Sequence, residues 1–256
     1  MAGRVPHGVR RAEQELEALL STLDHPRPLI RDQAVVMALA LRGRRLYRAV
    51  RILCRRGEWD SAAILLRALV EVTMLARWIE ANPPLHVEMW LAEDERDMAN
   101  GLETVERFAV ARGLANPITA ADRARIDEAR AEVKAIRTKA EAAGEAVRGS
   151  GSLIPNGPEM VKGVPDLADL YGVIYTRLTP TVHAGGRSFV TDRIETTAAG
   201  LRVRPGAPFE DRVLRSLAAP TLAFLLATVS RQCGLNIEAA ATQIMLSLAS
   251  GSGDVA

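Results

Sequence analysis

Four side chains that can bind a ligand or transfer a proton recur at every fourth position: Tyr171, Tyr175, Thr179 and His183. On an α-helix this spacing places them along one side as a ridge. The imidazole exchanges a proton near neutral pH and the hydroxyls hydrogen-bond, so we predict a ligand-binding or catalytic site here. The alternative is structural: the tyrosine rings pack in the core, and His183 complements the negative end of the helix dipole.

A charged pair, Arg67 and Glu71, lies earlier in the chain within a run of apolar residues. Residues four apart on a helix face each other and can form an ion pair. Placing that pair among apolar neighbours costs desolvation free energy, which the pair alone does not always recover. We therefore predict either that it walls a polar pocket together with the ridge, or that it fixes the packing of a central helix in a bundle.

Arg177 and His183 supply a cation and an acid–base group six residues apart. On an unbroken helix the two side chains would point about 120° away from each other. Pro180 lies between them, and a proline removes a backbone hydrogen bond and tends to kink a helix. The two residues can share one phosphate group if the helix breaks near Pro180, or if the site assembles across a dimer.

One side of the second predicted helix is rich in arginine. This side can follow a phosphate backbone, or it can be a solvated face, or it can pair with the acidic run at 93–97 on the fourth helix. Stacking aromatic residues, which favour single-stranded nucleic acid, are nearly absent apart from Tyr47. The arginines are Arg44, Arg48, Arg51 and Arg55 on one stripe, with Arg42, Arg45 and Arg56 beside it.

The composition and the missing motifs exclude several classes of protein. A net charge of +2, from 33 basic and 31 acidic residues, indicates no binding to DNA or membrane by the molecule as a whole. We expect no metal and no cofactor, because HExxH, Walker, Rossmann glycine and GxSxG patterns are absent from the sequence.

The sequence also carries indications of location. The longest apolar stretch, 217–229, contains Pro220 and is shorter than the ~20 residues that cross a bilayer. The first residues are charged and no apolar run follows them, so we expect no secretory signal and a cytoplasmic protein. The abundance of Ala and Arg, with Lys only at 134, 139 and 162, is typical of a bacterial GC-rich genome.

Apolar residues at helical spacing dominate the chain and predict an all-α protein, a multi-helix bundle in a single domain of 1–256 with its core at about 29–249. Asp60 and Thr119 are expected to cap the third and fifth helices. We expect a loop at 148–163, an extended or hairpin insertion around 187–205 that turns at Ala199 and Gly200, and a disordered tail at 250–256. The predicted helices are 8–23, 29–56, 61–80, 85–112, 120–147, 167–183, 209–232 and 237–249.

The segment Leu66-Arg67-Ala-Leu-Val-Glu71 and the ridge of four resemble the motifs of a bacterial family of uncharacterised all-helical proteins. In that family an LxRxLxE-like helix precedes a Yx3YxxxSx3H-like helix. The resemblance covers residues 30–190, and Thr179 keeps the hydroxyl where the family more often has serine.

More distantly, the spacing of Arg177 and His183 is similar to the Arg-x4–6-His motif of the HEPN superfamily. Its members are helical bundles, often metal-independent ribonucleases of toxin–antitoxin and phage-defence systems, with the active site in a dimer cleft. The resemblance implies a homodimer that acts on RNA. It also implies that His183 is the acid–base on the ribose 2′-hydroxyl or leaving oxygen, and that Arg177 stabilises the phosphorane.

Three functions remain open at this point. The first is a HEPN-like ribonuclease or toxin-type effector. The second is a non-catalytic helical module that binds a protein partner or small ligand in a pocket walled by the charged pair and the ridge. The third is an unrelated hydrolase or transferase that uses the same pocket.

Overall fold

The computed structural model describes residues 6–25, 27–145, 147, 151–168, 170–175, 178, 194–197, 200–203 and 211–250. Within these residues the protein is an all-α helical bundle, as the apolar spacing predicts. The α-helices are α1 His7–Leu20, α2 Arg31–Arg56, α3 Trp59–Ala81, α4 Pro83–Ala111, α5 Ala120–Ala142, α6 Gly157–Gly163, α7 Asp211–Cys233 and α8 Glu238–Ser250.

Local side-chain and backbone chemistry sets the helix ends. Gly57 ends α2 in the left-handed conformation, with a φ of 75° that glycine adopts without steric cost. Thr119 caps α5 as predicted: its hydroxyl accepts from the amide of Asp122 at 3.1 Å, and the Asp122 carboxylate accepts from the amide of Thr119 at 2.9 Å. The prediction that Asp60 caps α3 is wrong, because the helix already begins at Trp59 and Asp60 lies in its first turn.

Two helical boundaries differ from the prediction for local reasons. α5 ends at Ala142 and not near 147, because Gly144 takes a φ of 79° and the amide of Glu145 turns back to the Ala140 carbonyl. The second half of the loop predicted at 148–163 is the short helix α6. Asn156 and Glu159 start it by a reciprocal cap, in which each side chain accepts from the other's amide, at 3.0 and 2.9 Å.

The extended insertion is present where the structure describes it. Strands β1 Ile194–Thr197 and β2 Gly200–Val203 pair antiparallel, with Ile194 opposite Val203 and Thr197 opposite Gly200. This confirms a hairpin within the region predicted around 187–205. The disordered tail predicted at 250–256 falls outside the described residues except for Ser250, which is the last residue of α8.

Packing groups the chain into two compact units. Unit 1 consists of Met1–Glu80 and Val161–Ala256, and unit 2 of Ala81–Met160. The single domain of 1–256 stays a prediction, and each unit is described by itself.

In unit 1, α7 is the central helix and packs against α2, α8 and α1. It is the one helix in the described part of the chain that is long and apolar enough to cross a membrane, although the sequence suggested a shorter apolar stretch. Of the most apolar 18-residue window of Arg212–Cys233, 67% is buried inside the protein, which is compatible with the core helix of a soluble protein.

α2 and α7 approach closely at Gly43. A Cβ atom added there would lie 2.3 Å from Cδ2 of Leu225 and 3.5 Å from Cδ1 of Leu69. Both leucines are fully buried, so neither side chain has empty space to move into without disturbing the core. The absence of a side chain at Gly43 therefore sets the separation of the two helices.

A buried ion cluster ties α1 to α2 and α7. The side chain of Glu13 is only 4% exposed. Its carboxylate accepts two hydrogen bonds from Arg215, at 2.7 and 2.5 Å. Arg51 lies 3.5 Å from Glu13 and pairs with Glu17 at 2.7 Å. Two cations on different helices thus stabilise one buried carboxylate and offset part of the cost of desolvating it.

Unit 2 is built on a hairpin of α4 and α5, which pack through Ala99, Ile126 and Ala129. Glu93 on α4 is buried, and its carboxylate accepts from the hydroxyl of Ser152 at 2.6 Å and the amide of Leu153 at 2.9 Å. A single carboxylate therefore fixes the segment that follows α5 against the hairpin.

Replacing Gly43 by valine is expected to lower the free energy of unfolding by about 2 kcal/mol, because the new side chain overpacks the contact with Leu225. The matched control is Gly101→Val on α4, where an added Cβ meets nothing within 4 Å. That control should change stability by less than about 0.5 kcal/mol. Urea unfolding followed by circular dichroism measures both, and equal losses would contradict the close crossing.

Glu13→Gln should destabilise the protein by about 3 kcal/mol, because it leaves Arg215 and Arg51 short of a compensating charge in a buried place. Glu15→Gln is the matched change on the same helix, and its pair with Arg11 is exposed, so it should cost under about 1 kcal/mol. Thermal unfolding of the two variants compares them. A loss for Glu13→Gln no larger than that for Glu15→Gln would show that the buried cluster adds nothing.

Candidate functional site

The charged pair on α3 forms as predicted. Nε of Arg67 donates to Oε1 of Glu71 at 3.1 Å, one helical turn away. The burial is unequal, however: 11% of the Arg67 side chain is exposed, against 51% for Glu71. Ile64 on the same helix is also 46% exposed, so the helix is not buried on every side. α3 has a solvent-facing edge, and the pair lies at that edge.

The segment that carries the two tyrosines is not the α-helix expected over 167–183. Leu170–Tyr175 is a π-helix, and it follows a 3-10 turn at Pro165–Leu167. A π-helical turn is wider than an α-helical one, and such turns are frequent at functional sites. Leu167, Ile174 and Leu178 are buried and anchor the segment in unit 1.

The π-helical segment places the tyrosines beside Arg67 of α3. The rings of Tyr171 and Tyr175 stack, with their centroids 5.1 Å apart and an interplanar angle of 20°. Nη2 of Arg67 donates to the hydroxyl oxygen of Tyr175 at 2.8 Å, and its guanidinium carbon lies 4.7 Å from the centre of that ring. We call Arg67, Glu71, Tyr171 and Tyr175 the arginine–tyrosine cluster.

A second contact between α3 and the same part of the chain was missed by sequence reasoning. Nη2 of Arg77 lies 2.9 Å from Asp166 in the 3-10 turn, and Nη1 of the same residue pairs with Glu80 at 2.8 Å. The signal was available in the helical spacing of Arg77 and Glu80 and in an acidic residue at the start of the next element. Together the two arginines of α3 hold both ends of the segment from Asp166 to Tyr175, which runs antiparallel to the helix.

The cluster has a defined chemical capacity. The positive charge of Arg67 is compensated by Glu71 and is directed at an aromatic hydroxyl, so this cation is held in one position. The half-exposed carboxylate of Glu71 can accept hydrogen bonds from a ligand. The stacked tyrosine rings are half-buried, and aromatic faces of this kind bind unstacked bases or other flat groups.

The structure brings together four of the residues that the sequence singled out. The other three, Thr179, Arg177 and His183, lie outside the described residues, as does Pro180 between them. Among the residues that are described, no group of three or more His, Cys, Asp or Glu side chains could hold a metal ion.

These features define an all-α helical-bundle protein with a polar and aromatic cluster between one helix and a π-helical segment. The chain belongs to a family described as "Family of unknown function (DUF5677)", whose model matches residues 33–200 and so spans the whole cluster. No curated protein and no solved structure matches the chain. Membership confirms the resemblance to an uncharacterised helical family, while the distant resemblance to the HEPN superfamily stays a prediction.

Tyr175→Phe removes the hydroxyl that Arg67 contacts and keeps the ring, so it should cost about 1 kcal/mol of unfolding free energy. Tyr171→Phe is the matched control, because its hydroxyl makes no hydrogen bond within the described residues; it should cost under about 0.5 kcal/mol. Chemical denaturation gives both values. The cluster would lack its central contact if the two variants were equally stable.

Proposed function

We propose that the chain is a metal-independent ribonuclease of the toxin or defence-effector type, active as a homodimer in the bacterial cytoplasm. The observation that supports it is the contact between Arg67 and Tyr175, which fixes the segment that leads into Arg177 and His183. A reaction without a metal needs its cation and its acid–base from side chains held in fixed positions. Tyr175 lies two residues before Arg177 and eight before His183.

The proposed chemistry is transfer of a phosphodiester to the adjacent ribose hydroxyl. One copy of His183 accepts the proton of the 2′-hydroxyl, and the 2′-oxygen forms a bond to phosphorus as the bond to the 5′-oxygen breaks. The second copy of His183 in the dimer donates a proton to that leaving oxygen. Arg177 stabilises the charge on the phosphorane, and the products are a 2′,3′-cyclic phosphate and a 5′-hydroxyl. The stacked tyrosines would hold an unpaired base beside the scissile bond.

A second candidate is a non-catalytic module that binds a protein partner or small ligand. The observation that favours it is that Arg67 already bonds to both Glu71 and Tyr175 and is only 11% exposed. In that arrangement the arginine holds the π-helical segment against α3. In this case the exposed carboxylate of Glu71 is the group that meets the ligand, and the ligand carries a hydrogen-bond donor or a positive charge.

Incubation with a 5′-labelled single-stranded RNA in the presence of EDTA should yield fragments that end in a cyclic phosphate. His183→Ala should reduce the rate by at least about 100-fold, because the proton transfers lose their carrier. Arg177→Ala should reduce it by a similar factor. The matched control, His25→Ala, alters an exposed histidine outside the cluster and should leave the rate unchanged. DNA of the same sequence lacks the 2′-hydroxyl and should remain intact.

Two results would reject the ribonuclease. One is cleavage that persists in a folded His183→Ala variant, and the other is no cleavage of any RNA by the folded wild-type protein. The binding module is distinguished by Glu71→Gln, which would abolish a ligand-induced rise in the unfolding temperature while no turnover is found. A ribonuclease whose Glu71→Gln variant still cleaves would show that the carboxylate serves the cluster and not the ligand.

A further inference from the structure

The arginines of α2 divide into two faces with different surroundings. Arg44 pairs with Asp24 at 2.6 Å, and Arg48 and Arg51 each pair with Glu17 at 2.7 Å. All of these acidic partners belong to α1 or to the 3-10 turn Ser21–Asp24 that follows it. Arg44, Arg48 and Arg51 therefore tie α2 to α1 and to this turn, and their charges are compensated. Arg55 on the same stripe donates to the backbone carbonyl of Arg51 at 3.2 Å.

The other face carries Arg42, Arg45 and Arg56, which are all exposed. Within the residues that the structure describes, none of the three forms a salt bridge or a side-chain hydrogen bond. At 100° per residue they fall within a sector of about 80° that also contains Ile52, and they extend over about 21 Å of the helix. Ile52 is itself 44% exposed. We call Arg42, Arg45, Ile52 and Arg56 the basic face of α2.

Three acidic residues of the run at 93–97, which the sequence offered as a partner for these arginines, have partners within unit 2: Glu93, Glu95 and Asp97. Glu93 accepts from Ser152 and Leu153 and pairs with Arg96, all in unit 2. Glu95 pairs with Arg125 at 3.5 Å, also in unit 2. The pairing of Arg44, Arg48 and Arg51 with the run at 93–97 is therefore wrong, because their acidic partners come from α1 and the turn after it.

Resting on the proposed function, we propose that the basic face of α2 binds the phosphate backbone of single-stranded RNA. Three guanidinium groups in a row match the repeated negative charge of such a strand, and guanidinium binds phosphate by paired hydrogen bonds. Neutralising the phosphates releases their counterions, which drives association at low salt.

Single-stranded RNA fits this face better than a duplex. The major groove of an RNA duplex is deep and too narrow for side chains to read, so a straight helix face meets a duplex poorly. A single strand can lie along the 21 Å or so of α2 and turn its bases toward the protein. Ile52, between the arginines, offers an apolar contact to a base. This surface would hold the strand, and the cluster on α3 would be a separate part of the same unit.

The test compares two triple variants that change the net charge equally. Arg42→Gln, Arg45→Gln and Arg56→Gln together remove the basic face. Arg123→Gln, Arg125→Gln and Arg130→Gln together remove three arginines of α5 that are paired with Glu106, Glu95 and Glu103. The probe is a fluorescein-labelled RNA whose 2′-hydroxyls are methylated, so that it binds without being cleaved. Fluorescence anisotropy at several salt concentrations gives the affinity and its salt dependence.

The wild-type protein and the α5 variant should bind this probe with the same salt dependence. For the α2 variant the slope of log K against log salt should be smaller by about 2, or about 0.7 for each of three phosphates, and binding at 0.1 M salt should weaken by ten- to a hundredfold. The unfolding temperature of the α2 variant should match the wild type, because its three side chains are exposed. The α5 variant should unfold at a slightly lower temperature, because it loses three surface ion pairs and each such pair contributes little to stability.

Each other outcome has a distinct meaning. If the two variants weaken RNA binding equally, the proposed role of the basic face is overturned and the proposed ribonuclease activity is unaffected. If a wild-type protein that cleaves RNA does not bind the probe, only the proposed role of the basic face is overturned, because the activity assay does not use this probe. Binding to phosphatidylserine vesicles that depends on Arg42, Arg45 and Arg56, without binding to the RNA probe, would reassign the face to an anionic membrane and overturn the proposal.

Discussion

The hydrogen bond from Arg67 to Tyr175 is the interaction on which the candidate site depends. It joins α3 to a segment that is more than a hundred residues away in the sequence, and it fixes the tyrosine ring as well as the hydroxyl, because the guanidinium lies against the ring. Its geometry requires two conditions at once. Glu71 must hold the guanidinium from one side, and the π-helical turn must bring Tyr175 close from the other. The contact between Arg77 and Asp166 secures the opposite end of the same segment, so the cluster is supported at two points along α3.

Charge in this protein is organised locally, although the net charge is close to zero. Two buried carboxylates connect separate elements of the fold. Glu13 on α1 pairs with arginines of two other helices, and Glu93 binds the segment that follows α5. Arginines that pair with these carboxylates are not available to bind a ligand, whereas those of the basic face form no such pair within the described part of the chain. A count of arginines along α2 would not separate the two sets. The separation depends on where α1 packs, which is a property of the tertiary structure.

Much of the fold follows from the sequence, and the misses have physical causes. The spacing of apolar residues identifies the long helices because burial of one face governs them. The pairing of Arg67 with Glu71 and the cap at Thr119 are local, so spacing alone predicts both. The cap of α6 was equally local, but the glycines and prolines around Asn156 and Glu159 hid it behind a loop-like composition. The burial of Arg67 without that of Glu71, and the meeting of Arg67 with Tyr175, depend on which elements pack together. No single segment carries that information.

The π-helical turn determines the direction in which the side chains that follow it point. Each residue of an α-helix advances the direction of the side chains by about 100°, so one residue more or fewer in a turn reorients everything on its far side relative to the near side. Leu167 is anchored in the core before the turn, and Tyr175 meets α3 at its end. The turn therefore sets the angle between the buried side chain of Leu167 and the side chain of Tyr175, so that the first faces the core while the second faces Arg67. A chain shortened by one residue there would keep Leu167 in place, but Tyr175 and the buried Leu178 beyond the turn would both point in new directions, and the cluster would be lost.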